Sequence, residues 1–490
     1  MEPMTVGALA EAVGGQVAPG VDPTRRVGPG VVIDSRAVHP GALFVALPGE
    51  RVDGHDFVAT AADAGAAAAL VTRPVAVDVP QVVVPDTVAA LAALATDVVG
   101  RATASGLVVV GITGSSGKTS TKDLVAAVLE AAGPTVAPPG SFNNEIGAPL
   151  TACRVDAATR YLVAEMGARG LGHIAWLCRV TPPAVGAVLN VGHAHLGEFG
   201  SIEQIALAKG ELVEALPPTG WAVLNADDPR VIAMALRTSA RVAAFSTRHD
   251  PAETGADLRV WASDVAADDL QRHRFTLHAA GAGREPASAP VALRVLGEHQ
   301  VSNAVAAAAV GVSAGLGLDA VADALSHATA RSRWRMELLE RPDGLAILND
   351  AYNANPDSMS AALVAVARLR RPEGRVVAAL GDMLELGPDA AAAHREAGAL
   401  AATLEVDELV AVGEFGPDLV AGFAPSGRPA RYFGSVEELV AHLRGALGAS
   451  DVVLVKASRG LALERVADAL VADAPARGAL VERAEGARQW

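Results

Sequence analysis

The sequence predicts an α/β protein of three domains built on mainly parallel sheets. Three observations carry that prediction. Apolar runs of strand length recur along the chain with helical patterns between most of them, the alternation that βαβ units produce. One such run, Leu107-Val108-Val109-Val110, leads through a glycine-rich turn into a helix. The length of 490 residues exceeds what a single hydrophobic core organises and fits about three domains. Hydrophobic residues make up 51% of the chain but aromatics only 3%, so the cores are expected to be built of Ala, Val and Leu.

In the first block, residues 1–104, Val31-Val32-Ile33 and Leu43-Phe44-Val45-Ala46-Leu47 read as short strands. Gly, Pro and Asp turns join them, and an alanine-rich helix follows. The apolar stretch 58–71 is interrupted by Asp63 and falls short of the about 20 residues that a membrane-crossing helix needs. Residues 101–106 read as a connector. The second block, 105–333, holds the glycine-rich turn and the strand candidates Tyr161-Leu162-Val163-Ala164, Ala187-Val188-Leu189 and Trp221-Ala222-Val223-Leu224. Its polar stretch from 248 to 284 suggests an excursion or an antiparallel edge. The third block begins between 331 and 345 and is taken as 334–490. There Val376-Val377-Ala378-Ala379-Leu380, Leu409-Val410-Ala411-Val412 and Val452-Val453-Leu454-Val455 again alternate with helical patterns. This block reads as Rossmann-like, although no G-x-G-x-x-G follows any of its strands.

A net charge of −15 argues against broad contact with nucleic acid or an anionic membrane. It leaves room for small anionic substrates, which need only a local Lys or Arg. Met1-Glu2-Pro3-Met4-Thr5 lacks the basic and apolar regions of a signal peptide. Cys153 and Cys178 form no framework and suit a reducing cytoplasm, most simply as buried packing residues.

The chemistry concentrates after the strand-like runs. Gly114-Ser115-Ser116-Gly117-Lys118-Thr119-Ser120 has the layout of a phosphate-binding loop, with small residues that let backbone N–H groups close around phosphates at a helix N-terminus. Lys118 is expected to reach the terminal phosphates of ATP and the Thr119 hydroxyl to hold Mg²⁺. The position five before Gly117 is Ile112, so the signature is shorter than the usual one. Glu165, at a strand tip, is either a Mg²⁺ ligand or a solvated strand-end carboxylate. His193 and His195 alternate, so an extended loop puts both on one side, as a metal pair or as structural loop residues.

Ser201 to Gln204 reads as a capping box, and Ile202, Ile205, Leu212 and Leu216 form an apolar stripe at helical spacing. Lys209 falls inside that stripe. It is either desolvated, which favours the neutral amine that reacts with CO₂ to form a carbamate, or a snorkelling lysine with a buried stem. Asn225-Ala226-Asp227-Asp228-Pro229 and Gly297-Glu298-His299-Gln300-Val301-Ser302-Asn303 read as turns and caps, with Asn303 placed to read a base edge. Asp350 is suited to a ribose hydroxyl, and Lys456 and Arg459 to a carboxylate or phosphate.

Together these motifs resemble the Mur ligases of peptidoglycan synthesis over nearly the whole chain. Asp34-Ser35-Arg36, Gly41 to Leu47 and Asp53-Gly54-His55 are similar to that family's UDP-binding module. Ser141-Phe142-Asn143-Asn144-Glu145-Ile146-Gly147 is similar to its segment after the phosphate-loop helix. Fourteen positions separate His195 from Lys209, the family's interval between metal histidine and carbamylated lysine. Four strings resemble the branch that adds D-alanyl-D-alanine to UDP-N-acetylmuramoyl-tripeptide. They are the run from Tyr352 to Ser358, that from Gly381 to Gly387, His394-Arg395-Glu396 and Lys456-Ala457-Ser458-Arg459-Gly460. Gln300, Trp334 and Ala457 depart from the pattern, standing where the family commonly has Asn, Gly and Gly.

The resemblance implies a UDP-sugar-binding domain at 1–104, an ATP-binding domain at 105–333 and a closing, acceptor-binding domain at 334–490. It implies catalysis by Lys118, Glu165, His195 and Lys209, with Mg²⁺, two ions in the full scheme, held by Thr119, Glu165, His195 and carbamylated Lys209. ATP contacts fall to Gly114, Ser115, Ser116, Gly117, Lys118, Thr119, Ser120, Asn303, Arg335 and Asp350. Ser35, Arg36, Asp53, Gly54 and His55 would meet UDP. Asn143, Asn144, Tyr352, Asn353, Asn355, Lys456, Ser458 and Arg459 would meet the acceptor and the other substrate groups. A cytoplasmic monomer without nucleic-acid partner or membrane insertion is expected. The rival readings are another amino-acid ligase of the same superfamily and a nucleotide-binding scaffold without catalysis.

Overall fold

The computed structural model describes residues 1–49, 52–192, 199–281 and 283–473. Among the described residues, three sheets of mixed α/β architecture carry the chain, beside one small two-stranded ribbon (Met4–Thr5 with Arg26–Val27).

The N-terminal sheet orders Gln16–Val17, Gln81–Val83, Ala68–Val71, Leu43–Val45 and Val31–Val32, parallel except at the first pair. The helix Thr87–Ala104 closes it. Asp86 caps that helix by accepting from the Val88 and Ala89 N–H groups, and Leu91, Leu94, Ala95, Val98 and Val99 form its buried stripe. By length and composition this helix could cross a membrane, but its apolar face packs into a core. That core also takes in Val109, Ala152, Cys153 and Leu162 of the next domain, so the two units share buried apolar surface.

The central sheet has nine strands among the described residues. Their order is Arg284–Leu296, Arg272–Gly281, Leu258–Ala267, Arg241–Ser246, Trp221–Asn225, Val185–Val188, Val108–Thr113, Tyr161–Glu165 and Thr135–Val136. The last seven run parallel, and the first two are added antiparallel. The polar stretch from 248 to 284 thus includes the start of an antiparallel edge. It alternates buried and exposed residues because only one face meets the core. The helices Lys118–Glu130 and His299–Ser313 cover one face, and His173–Val180 and Ile202–Glu214 the other. Ala304, Ala306, Ala307, Ala308 and Ala309 are fully buried, and such small side chains let His299–Ser313 lie close against the phosphate-loop helix. A β-carbon added at Gly311 would come within 2.5 Å of Val128 Cγ1.

The C-terminal sheet orders Glu337–Glu340, Ala346–Asn349, Val452–Lys456, Val376–Leu380, Glu408–Val412 and Ala430–Phe433, parallel after the antiparallel first pair. Residues 331–336 lead into it from the central domain. Arg331 grips Glu130 through two hydrogen bonds of 2.6 Å, and the Ser332 N–H donates to Asp123 Oδ2 at 2.9 Å. Trp334 and Met336 then take the left-handed backbone conformation, with φ of 62° and 50°.

Candidate active site

The parallel central and C-terminal sheets turn the C-terminal ends of their strands toward one another, where open α/β sheets place ligands. Between them lies a cavity of about 1060 Å³ lined by both domains.

The strand Val108–Thr113 delivers the chain into the loop 114–117. Gly117 has φ +77°, and a β-carbon there would meet Asn303 Oδ1 at 2.6 Å, so only glycine fits. The loop is braced from the neighbouring strand, with the Ser116 N–H donating to Asn190 Oδ1 at 2.9 Å. Ser115 Oγ donates to the Gly192 carbonyl and accepts from the Gly192 N–H. Lys118 Nζ donates to the Gly114 carbonyl at 2.7 Å and the Ser115 carbonyl at 3.4 Å. Burial holds its ammonium below the ordinary lysine value, while Glu165 pulls the other way. Gly114 borders the loop, and Ser120 lines the cavity behind Thr119.

Thr119 Oγ1 lies 2.6 Å from Ser141 Oγ and donates to Glu165 Oε1 at 3.2 Å. Asn143 Nδ2 donates to the same oxygen at 2.8 Å. Glu165 is 1% exposed and its Oε2 is buried without a partner among the described residues, which excludes the solvated strand-end reading. A buried carboxylate oxygen left open beside two hydroxyls suits a hard, oxygen-seeking cation such as Mg²⁺. Among the described residues no cluster of three His, Cys, Asp or Glu gathers.

Ser201 accepts from the Gln204 N–H and starts the helix Ile202–Glu214, which buries Lys209 on the face it shares with Ile205 and Leu212. Lys209 is 4% exposed, so the desolvated reading holds over the snorkelling one. Burial first, and the charge of Lys118 second, push its amine well below the ordinary lysine value. His193 and His195 lie outside the described residues.

Asn303 accepts from Thr121 Oγ1 at 3.1 Å and donates to Gln300 Oε1 at 2.9 Å, tying its helix to the phosphate-loop helix. Arg335 crosses from the C-terminal side. Its Nη2 donates to Ser141 Oγ at 2.7 Å, its guanidinium stacks 4.1 Å above the Tyr352 ring, and its Nε is buried without a partner. Asp350 accepts from the Met336 N–H at 3.1 Å and from Lys456 Nζ at 2.5 Å. Lys456 also donates to the Asn353 carbonyl. Ser458 Oγ accepts from the Leu384 N–H, and Arg459 pairs with Glu464.

Several expected contacts have local structural work. Asn355 Oδ1 accepts from the Ser358 N–H at 2.8 Å and Ser358 Oγ from the Asn355 N–H, a capping box on Pro356–Arg368. Asn144 Oδ1 accepts from the Gly147 N–H. Both residues still line the cavity. His394 is fully buried, accepting from the Met383 N–H and bonding the Ala390 carbonyl. Asp227 and Asp228 accept hydrogen bonds in their turn.

Ser35, Arg36, Asp53, Gly54 and His55 belong to the N-terminal unit and are not among the cavity's described lining. Asp34 caps the turn Ser35–Ala37 and pairs with the exposed Arg36, which holds its carboxyl down at about 2. Asp53 caps Gly54–Phe57, and a β-carbon at Gly54 would strike Leu47 N at 2.6 Å. His55 is 3% exposed. Its Nδ1 bonds Asp53 and its Nε2 accepts from the Thr72 N–H, so both ring nitrogens serve the turn.

The cavity also has residues that sequence reasoning did not single out. Ser141 joins Thr119 to Arg335; the signal was its place at the head of the Ser141-to-Gly147 segment. His299 lines the wall, its ring held below the ordinary histidine value by burial. His173, Trp176 and Arg179, at three-residue spacing on one helix, form another wall with Arg169.

A phosphate loop facing Arg335, Lys456 and Arg459 of a C-terminal Rossmann-like domain defines a nucleotide-using enzyme, and the chain belongs to the Mur ligase family. The family's middle domain matches residues 112–311, its glutamate ligase domain 334–459 and its catalytic-domain model 29–99. At the level of individual proteins, the chain is 48% identical to the UDP-N-acetylmuramoyl-tripeptide–D-alanyl-D-alanine ligase of Mycobacterium tuberculosis, covering 96% of this chain and 98% of that one. It is similar to a solved structure of UDP-N-acetylmuramoylalanyl-D-glutamyl-2,6-diaminopimelate–D-alanyl-D-alanyl ligase from Acinetobacter baumannii. The TM-score is 0.81 and the identity 30%, over 96% of this chain and 99% of the other. The MurF ligase of Thermotoga maritima, solved in complex with ADP, gives a TM-score of 0.73 at 28% identity over 91% and 97% of the two chains.

Proposed function

We propose that the chain is an ATP-dependent ligase that joins D-alanyl-D-alanine to UDP-N-acetylmuramoyl-tripeptide, releasing ADP and phosphate in cytoplasmic peptidoglycan precursor synthesis. The observation that carries this reading is the cavity. On one wall it holds a phosphate loop with a buried, half-unpartnered Glu165, and on the other Lys456 and Arg459. The relatives described above supply the identity of the substrates.

The tripeptide carboxylate attacks the γ-phosphate of ATP to give an acyl phosphate. The dipeptide amine then attacks the acyl carbon, and phosphate leaves from the tetrahedral intermediate. Two anions must meet in the first step, so charge compensation dominates the barrier. Lys118 leaves its loop carbonyls to follow the phosphoryl group. Thr119 and Glu165 would hold Mg²⁺, with a carbamate on Lys209 as an added anionic ligand for a second ion; a bound metal would supply positive charge that offsets the repulsion of the two anions. The neutral amine that burial favours at Lys209 is the form that reacts with CO₂. Asn303, Arg335 and Asp350 border the nucleotide. Arg459 and Lys456 offer cations for the dipeptide carboxylate. Approach of the two walls keeps water from the acyl phosphate.

ADP release by the purified chain, with ATP, Mg²⁺, tripeptide nucleotide and dipeptide each omitted in turn, tests the reading. Release is expected only when all four are present. Release with a single amino acid in place of the dipeptide would point to another ligase of the family, and no release under any condition to a scaffold.

A further inference from the structure

We infer that Trp334 is a positioning residue that presents Arg459 to the acceptor dipeptide, an inference that rests on the ligase reading above. The backbone at Trp334 has φ +62°, a conformation that glycine adopts freely and that an aromatic β-carbon resists. Its main-chain contacts do not require the indole. The N–H donates to Glu337 Oε2 at 3.1 Å and the carbonyl accepts from the Tyr352 N–H at 3.2 Å, and any residue could make both.

Nor does the ring serve a core or a hydrogen bond. Among the described residues Trp334 belongs to none of the buried apolar clusters, and its Nε1 is buried without a partner. What the indole does meet is two guanidinium groups. Arg459 lies 4.5 Å from its centroid and Arg333 lies 5.3 Å away. Strain kept at a strained link, for a ring whose neighbours are cations, points to those cations.

Arg459 gains most from such a shelf. Its side chain is 49% exposed, it lines the cavity, and its ion-pair partner among the described residues is Glu464 on its own segment. The indole face limits the sweep of a long side chain, and a planar guanidinium stacked on a ring keeps its N–H edge free for a carboxylate. The shelf also joins the two walls of the site. Trp334 precedes Arg335, which reaches Ser141, and Ser141 touches Thr119 of the phosphate loop. The placement of Arg459 is thereby tied to the link on which the C-terminal domain hangs.

The test is steady-state kinetics of Trp334→Gly and Trp334→Phe, with melting curves. In Trp334→Gly the KM for D-alanyl-D-alanine is expected to rise about fivefold to tenfold, with kcat and the KM for ATP moving less than twofold. The melting temperature should hold or rise, since glycine relieves the backbone. Trp334→Phe keeps a ring and should recover most of the dipeptide KM. In an Arg459→Ala background, Trp334→Gly should have no further effect on that KM. An unchanged dipeptide KM in Trp334→Gly, or a fall in melting temperature with kcat and both KM values worsening together, overturns the inference while leaving the ligase reading intact. Wild-type protein that releases no ADP in response to the dipeptide overturns both.

Discussion

Glu165 illustrates how a residue acquires chemistry from its surroundings. The strand Tyr161–Glu165 is buried throughout, and its last side chain meets Thr119 and Asn143 through one oxygen only. Glu165→Gln keeps the shape and removes the charge. We expect kcat to fall by about a hundredfold or more, the scale of losing one electrostatic stabiliser in a dry site, with the melting temperature within a few degrees of wild type. Single-turnover ADP release checks this; a variant with wild-type kcat would remove Glu165 from the proposed chemistry. The positions of Lys118, Glu165 and Lys209 were legible in sequence, because each is set by local pattern: a loop, a strand end, a helical stripe. The structural roles of His55 and His394 were not legible, since one ring partner of each, the Thr72 N–H and the Met383 N–H, lies on another segment that no spacing rule connects.

At the scale of elements, the segment Tyr352 to Ser358 separates binding from capping. Asn355 reads in sequence as a substrate contact, yet its side chain closes a capping box at the start of Pro356–Arg368. Asn355→Ala should cost about 1 kcal/mol of stability, and Asn355→Ser should restore most of it, as followed by urea unfolding. If the residue's work is the cap, the serine variant also keeps the dipeptide KM; a raised KM in a fully stable serine variant would assign it to substrate. The strands were legible as apolar runs. Their pairing was less so: the polar stretch from 248 to 284 reads as an excursion or an antiparallel edge, because only one face of the strands from Arg272 to Leu296 is buried. The strained turn at 334 and 336 left no signal in its own residue types, since neither Trp nor Met marks a left-handed position; the Gly that the resembled family commonly has at 334 was the one pointer.

Across the whole molecule, the three sheets do not behave as three separate beads. The N-terminal unit and the central sheet share one apolar cluster, which a boundary drawn from composition could not reveal. Cys153 sits in that shared cluster, and Cys178 sits in the adjoining cluster on the same face of the central sheet, where Leu162 belongs to the first and Ala164 to the second. Burial pushes both thiols up to about 12 from an ordinary value of 9.0. Between those values the folded chain keeps protons that the unfolded chain loses, so this contribution is fully present below 9 and declines as pH rises toward 12. Urea midpoints should therefore drop more steeply above pH 9 in the wild type than in a Cys153→Ala, Cys178→Ala variant; parallel curves would contradict the assignment. The central claim, that the facing walls of one cavity ligate a dipeptide to a nucleotide-linked peptide, is tested most directly by following product and ADP together. Mass spectrometry of a reaction with ATP, Mg²⁺, UDP-N-acetylmuramoyl-tripeptide and D-alanyl-D-alanine should find the tripeptide nucleotide extended by the dipeptide less one water, in equal amount to ADP. ADP formed without that product, or formed equally without the dipeptide, would contradict it.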